Sequence, residues 1–587
     1  MKRKQWLSMA LACCMAAGSQ TPAFAQENEE TVELTALISK HSLTKDVNEM
    51  EWLTELEAQN GVSVEWQQIT ADWDQKKSVM FAGGDIPDIL FKATTTSDFA
   101  TYNGLFEDLA PYIDNGQMPN VAKMFEDHPE LRALSTDENG AIYGIPNYRS
   151  IWPTTNRVMY INQTWLDNLG LEVPTNMDEL EEVLIAFKEG DPNGNGDTTD
   201  EIPFDFNGFP TFLLACFGVP LMNESDGYYV ENGEVKNYRV DERYKVFMEW
   251  LQQLYGEGLI NEEVITQDYS KFQSLARGEG TTAKVGVTLG WESGDRFGTE
   301  VADQYIPLPA LKPHADSDEE TVYWGYYKDN NSVNAATVAL SSMCKNKDAA
   351  VKFIDSFYDE KTSLQVLFGG MNDVDQCMKD NDDGTYEVLP PADSSIDPGT
   401  WKWTNSFADY SPYYIPDDMK DRLTMGEDMV RVLEERKPLE ETLAKMEETC
   451  DTYPAKFISY STDDNATLAM NQVNIDNIIK QTYAAWLTDS NRDIEAEWED
   501  YVDSIYKIGL TQNLEIRQAA YDRYRAGKQS TGFSRLLLAK RRQTDEKNKI
   551  NIKKRVAAVA HDFTGFGIYY HILLRTYVWN TACFSKI

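Results

Sequence analysis

Three observations predict an α/β protein built of two or more lobes. At 587 residues the chain is too long for a single core. Residues 32–91 alternate strand and helix patterns, as parallel β-α units do. Beyond residue 415 the reading is mostly helical, so a largely helical C-terminal part is expected. Taken in order, Thr31–Ile38 alternates as a half-buried strand should, a helix spans Val47–Gln59 and ends near Gly61, and Val62–Trp66 is the next strand. A further helix leads to the Gly83-Gly84-Asp85-Ile86-Pro87-Asp88 turn, which feeds the apolar Ile89-Leu90-Phe91. Met177, Leu180, Leu184 and Phe187 make a helical stripe, with a capping box from Thr175 and Asp178 and a stop at Gly190. Residues 347–357 carry another helical period. Ile494, Trp498, Tyr501, Val502 and Ile505 share one face of a helix that Gly509 is expected to stop. No internal repeat is visible.

The stretch after Gly190 reads Asp191-Pro-Asn-Gly-Asn-Gly-Asp-Thr-Thr-Asp-Glu-Ile-Pro203. Side-chain oxygens at the first, third and fifth positions and a glycine at the sixth match the spacing of a Ca²⁺ cage, because alternate residues turn toward one ion and glycine permits the bend. The twelfth position is Ile202, so the acids Asp200 and Glu201 fall early. An ion-free Asn-Gly turn is the plain alternative. Such hard oxygen cages are usually structural, so the loop predicts calcium without predicting chemistry.

The net charge is −42, which argues against nucleic acid and anionic membranes as partners. Lys2, Arg3 and Lys4, the short apolar run Trp6–Gly18 and Ala23-Phe24-Ala25 read as an export signal cleaved after Ala25. Ala10-Leu11-Ala12-Cys13 offers a second option, a lipid anchor at Cys13 or Cys14. The five remaining cysteines (Cys216, Cys344, Cys377, Cys450 and Cys583) are too scattered for a disulfide framework or a metal site, and most read as buried small apolar residues. Residues 527–587 hold twelve Lys and Arg against three Asp and Glu, and this break marks a separate basic tail. Catalysis finds little support. There are five His and no His-Glu-x-x-His, Gly-x-Ser-x-Gly or phosphate loop. The 96 acidic residues leave a calcium-dependent secreted polysaccharide lyase or glycosidase as the alternative function.

Several segments together resemble one family. Ala82–Ile89 resembles its small-Gly-Asp-x-Pro-Asp turn, and Gly104–Ile113 the segment that follows. Asn139–Pro146 resembles a strand entering a hinge, Tyr160–Asn162 and Trp165–Leu171 the next strand and helix, and Ala519–Tyr524 the close of long members. The chain resembles the large extracellular solute-binding proteins of carbohydrate ABC importers, the lipoprotein type. The resemblance implies the two-lobe, periplasmic-binding-protein-like fold of class II, with crossing hinge strands and a ligand in the cleft. It implies an oligosaccharide ligand, ABC permease subunits as partners, a monomer and no enzymatic activity. The expected division is a signal peptide at 1–25, a first lobe at 26–148 and 311–375, a second lobe at 149–310 and 376–526, and the tail at 527–587.

In alginate-binding relatives a loop of this type holds structural Ca²⁺. The implied ligands here are Asp191, Asn193, Asn195, the Asp197 carbonyl, Asp200 and Glu201, with Thr199 an alternative because one extra residue precedes the acidic pair. Sugars are met by aromatic rings on their C–H faces and by polar groups on their hydroxyls. Where the family places its cleft, the expected ligand residues are Arg149 and Trp152 after the first hinge strand, Trp324 and Tyr327 near the returning crossover, and Trp291, Trp401 and Trp403 from loops of the second lobe. Trp165, Trp250 and Trp498 lie on apolar helical stripes and read as core.

Overall fold

The structure, a computed structural model, describes residues 31–526 apart from 138, 319, 320, 373, 395, 397 and 459. The export signal, Cys583 and the basic tail lie outside the described residues. Two sheets carry the architecture. The first begins with β1 (Val32–Ser39), β2 (Val62–Ile69), β3 (Ile89–Phe91) and β4 (Gly144–Arg149). The second holds β5 (Val158–Asn162), β6 (Ile202–Asp205), β7 (Val285–Gly290) and β8 (Tyr305–Pro307). The chain then returns to the first sheet as β9 (Val333–Leu340) and β10 (Tyr414–Ile415). Strand order is β10-β4-β9-β3-β1-β2 in one and β8-β5-β7-β6 in the other. β1 pairs parallel with β2 and β3, and β9 runs antiparallel between β3 and β4.

Local chemistry explains the elements. Leu34, Ala36, Leu37 and Ile38 of β1 are all buried, as a strand covered on both faces requires. The helix Glu51–Asn60 buries Trp52, Leu53 and Leu56, and Gly61 ends it with φ +66°. The helix Met177–Glu189 starts one residue later than expected. Asn176 Oδ1 accepts the Glu179 N–H at 3.0 Å, while Glu179 Oε2 accepts the Thr175 N–H at 2.8 Å. The Ile494–Ile505 helix buries Ile494, Trp498, Tyr501 and Ile505, as its period predicts. Gly509 does not stop it. With φ +133° it opens a wide turn over Tyr506–Leu510, and helix resumes through residue 526. A Cβ at Gly509 would meet Asn471 Cγ at 2.4 Å, so only glycine fits this close approach.

Each sheet has its own core, and the packing corrects two expected boundaries. Cys377, Met378, Tyr386, Phe407, Tyr413, Tyr414, Ile415, Met419 and Leu423 join the core of the first sheet, so residues 376–425 belong to the first lobe and not the second. Leu311, Trp324 and Tyr326 join the second core, so the return to the first lobe falls near β9 rather than at 311. Trp165 and Trp498 are buried in the second core, and Trp250 packs half-buried against it. Cys216, Cys344 and Cys377 are buried, while Cys450 is half-buried.

Candidate ligand cleft and cation loop

A cavity of about 480 Å³ opens where β1 and β3 end, the edge at which α/β sheets present ligand sites. Its walls are Ser39-Lys40-His41 after β1, Lys92 and Thr94 after β3, residues 334–337 of β9, and Trp403, Tyr410 and Lys456. β9 is bulged here. Its register with β4 shifts between Asn334 and Val338, which turns the intervening backbone away from β4. The bulge is tied down from three sides. Lys92 N–H donates to Thr337 O at 2.8 Å, Thr94 Oγ1 to Ala336 O at 3.1 Å, and Asn334 N–H to Asn147 Oδ1 at 2.8 Å. Lys92 (φ +53°), Ala336 (φ +54°), Ala408 (φ +55°) and Tyr410 (φ +67°) all hold left-handed backbone in or beside this cavity. Such conformations persist where the surroundings over-determine them, as at binding sites. Trp403 packs tilted against His41, 4.6 Å between ring centroids, and Tyr410 is 60% exposed.

A second cavity, of about 200 Å³, lies at the ends of β6 and β7 in the other lobe. Phe206, Phe209, Phe212, Tyr269 and Trp291 line it. Trp291 is half-buried, with the Arg436 guanidinium 4.6 Å from its ring centroid and Arg436 Nη2 donating to its carbonyl at 3.0 Å. Tyr269 is more than half exposed, and its hydroxyl donates to Asp295 Oδ2 at 3.2 Å.

The crossing segments are pinned to each other. Arg149 Nε donates to Asn331 O at 2.9 Å, Asn331 Nδ2 to Pro153 O at 2.8 Å, and Tyr327 N–H to Thr154 O at 2.8 Å. The segment at 455–458 also crosses. Ala455 and Ile458 pack on the second core, and Phe457 on the first.

The expected ligand residues divide accordingly. Trp291 and Trp403 line cavities, but in different lobes. Trp403 belongs to the first, because its helix packs on the first core through Trp401. Trp324 is a correction. Its ring is fully buried, with Nε1 donating to Arg157 O at 3.0 Å, so it offers no face to a ligand. Tyr327 is buried against Phe212, 5.2 Å between centroids. Arg149 is also buried. It pairs with Asp409 and lies 3.9 Å above the Trp152 ring, so its charge is already engaged. Asp409 in turn accepts from Lys402 Nζ at 3.2 Å. Burial alone would raise the Asp409 carboxyl. The Lys402 and Arg149 charges outweigh it and hold the group well below the usual carboxylate range. The sequence reading passed over Lys40, His41, Lys92, Tyr410 and Lys456. For the first three a signal existed, since they lie within two residues of the ends of β1 and β3.

The loop at 191–201 is a closed set of Asx turns. Asp191 Oδ2 accepts the Gly196 N–H at 2.9 Å, and Asn195 Oδ1 accepts the Asp197 N–H at 2.7 Å. The amides of Asn193 and Asn195 converge on Asp200 Oδ1, at 3.2 and 3.1 Å. Both carboxylate oxygens of Glu201 are buried without a hydrogen-bond partner among the described residues. Burial pushes the Glu201 carboxyl up to about 7, and the neighbouring Asp200, Asp191 and Asp197 add to the shift. An orphaned buried carboxylate beside five further oxygen-bearing residues fits a hard divalent cation. Among the described residues no group of three or more His, Cys, Asp and Glu side chains is arranged to hold a metal. The fit therefore leans on the two Asn amides and a main-chain carbonyl, and needs the amides turned oxygen-inward.

Two α/β lobes joined by pinned crossings, each with an aromatic-lined cavity at its strand ends, define a two-lobe binding protein. Residues 41–362 match the family of bacterial extracellular solute-binding proteins, and the chain belongs to it. It is 28% identical, over 89% of its own length and 98% of the relative's, to the fructooligosaccharide ABC transporter substrate-binding protein FusA of Streptococcus pneumoniae. The structure of FusA in complex with kestose aligns with a TM-score of 0.72, at 27% identity, over 84% of this chain and all of that one. An HMO-binding, ABC-transporter-associated solute-binding protein from Bifidobacterium longum infantis aligns with a TM-score of 0.76, at 32% identity, over 84% of this chain and 99% of that one. The alginate-binding protein AlgQ2 shares the fold, with a TM-score of 0.59 at 19% identity.

Proposed function

We propose that this protein captures an oligosaccharide outside the membrane, hands it to the permease of an ABC importer, and breaks no bond. The observation that carries the reading is the pair of cavities, one per lobe, each with a half-exposed tryptophan at the strand ends. A ligand that touches both walls favours the closed arrangement of the lobes, and that difference in affinity drives closure. The relatives FusA and the HMO-binding protein support the sugar class and the transporter partner. Arg149, Trp152, Tyr327 and Trp324 act in this reading as hinge and core rather than as ligand contacts, and Trp401 supports Trp403 from behind. The protein works as a monomer, with Ca²⁺ as a structural ion held by Asp191, Asn193, Asn195, the Asp197 carbonyl, Asp200 and Glu201. A solved structure of an EF-hand variant of FusA supports a cation loop in that relative.

Calorimetry against a glycan panel, with product analysis of the same mixtures, tests the proposal. Binding without turnover is expected, and release of cleaved sugar would favour the lyase or glycosidase alternative. Trp291→Ala and Trp403→Ala should each lose on the order of 1–3 kcal/mol of affinity, the range of stacking contacts and binding hot spots. An unchanged affinity in either variant would remove that ring from the site.

A further inference from the structure

We infer that the captured oligosaccharide is acidic, and that Lys40, Lys92 and Lys456 seat its carboxylate or sulfate in the first-lobe cavity. This rests on the sugar-capture reading above and adds the charge class of the sugar. The chain carries 96 Asp and Glu against 54 Lys and Arg, so its overall field repels anions. The first-lobe cavity inverts that balance. Three lysines line it, and no aspartate or glutamate does.

None of the three lysines forms an ion pair with a carboxylate among the described residues. Lys40 Nζ donates to the Lys45 carbonyl at 2.7 Å, and Lys92 Nζ to the Phe407 carbonyl at 2.7 Å. A carbonyl aims an ammonium without neutralising it, and each ammonium keeps further N–H donors. Asp409 is the acid that acts most on Lys92, but Arg149 and Lys402 already engage it. Lys456 forms no hydrogen bond among the described residues, and Asp329 acts on it electrostatically. Burial disfavours all three charges, which a protein tolerates where a counter-charge arrives. Lys92 is moreover held in left-handed backbone, a costly conformation for a lysine, which directs its side chain at this place.

Trp403 and Tyr410 in the same cavity supply a surface for a sugar ring, so the anion arrives on a sugar rather than as a free ion. Lysines present point charges rather than a bidentate fork, which suits carboxylate and sulfate equally.

The test is calorimetry on the full chain with four probes: trigalacturonate, its fully methyl-esterified counterpart, a sulfated chondroitin disaccharide and kestose, backed by an array of neutral and acidic glycans. An acidic probe should bind at least about tenfold more tightly than the uncharged ester or kestose, and weaken as salt rises. Preference for trigalacturonate assigns the carboxylate, and preference for the disaccharide assigns the sulfate. Lys92→Gln and Lys456→Gln should each cost about tenfold for the acid. They should weaken binding of the acid more than binding of neutral sugars. Where Lys92→Gln lowers the melting temperature, Lys456→Gln carries the test. Neutral probes binding as tightly as acidic ones, or lysine variants that weaken both alike, would overturn the acidic class and leave sugar capture standing. Binding to no glycan on the array would overturn the sugar-capture reading itself.

Discussion

Asp409→Ala is expected to destabilise the fold by about 3–5 kcal/mol, the cost of removing one partner from a buried ion pair. The carboxylate holds two cations, Arg149 and Lys402, whose side chains are only 8% and 16% exposed. Without it both remain buried and uncompensated. The pH dependence has a definite sign. The folded-state carboxyl lies below its ordinary value of 3.8, so the stability it contributes is complete above that value and is lost as pH falls below it. Urea unfolding of wild type and variant at pH 7 and at pH 3 checks both parts. The gap should be full at pH 7 and narrower at pH 3. A gap under about 1 kcal/mol at pH 7 would mean that the two cations reach water in the open cleft, as exposed pairs do.

Calcium should produce the second large effect. An ion that binds only the folded protein adds about 2.7 kcal/mol when present at a hundredfold excess over its dissociation constant. Chelation with EDTA should therefore lower the melting temperature, and Glu201→Gln should abolish most of the difference. The buried Glu201 pair explains why. In metal-free protein the carboxyl sits near 7 rather than 4.5. Between those values the folded state holds more protons than the unfolded, so metal-free stability falls as pH rises through this window. A cation supplies the missing counter-charge, so the calcium increment should be larger at pH 8 than at pH 5. Thermal melts at the two pH values, with and without EDTA, measure this. Identical melts with and without EDTA at pH 8 would remove calcium from the loop.

Much of the scaffold was legible because short-range patterns set it. The β1–β3 region and the Ile494–Ile505 helix followed from their periods, and the turn at 191–201 from its Asn-Gly steps. The misreadings have physical causes. β10 is two residues long and joins β4 in parallel, pairing Tyr414 with Tyr148, 266 positions away, so no local period marks residues 376–425 as first-lobe. Trp324 has a loop-like sequence around it, yet the Arg157 carbonyl satisfies its indole and permits full burial. Lys40, Lys92 and Lys456 resemble ordinary surface lysines one at a time. Only the fold brings residues from opposite ends of the chain into one cavity, and a single sequence carries no sign of that meeting.

The helix that continues past Gly509 bears on the order in which the molecule can assemble. The buried residues of the first core all lie at or before Leu423, with Phe457 packed against them, whereas the second core still recruits Trp498, Tyr501, Leu510 and Tyr521. Gln518 and Asp451 also hold the 228–237 hairpin, through the Val235 and Gly233 N–H groups, each at 2.7 Å. As the chain emerges from N- to C-terminus, one lobe can close about a hundred residues before its neighbour. A chain ended at residue 508 should accordingly keep a protease-resistant first lobe while its second lobe is digested. The half-finished lobe, with its apolar surface uncovered, is the part of this protein most in need of a chaperone's shelter.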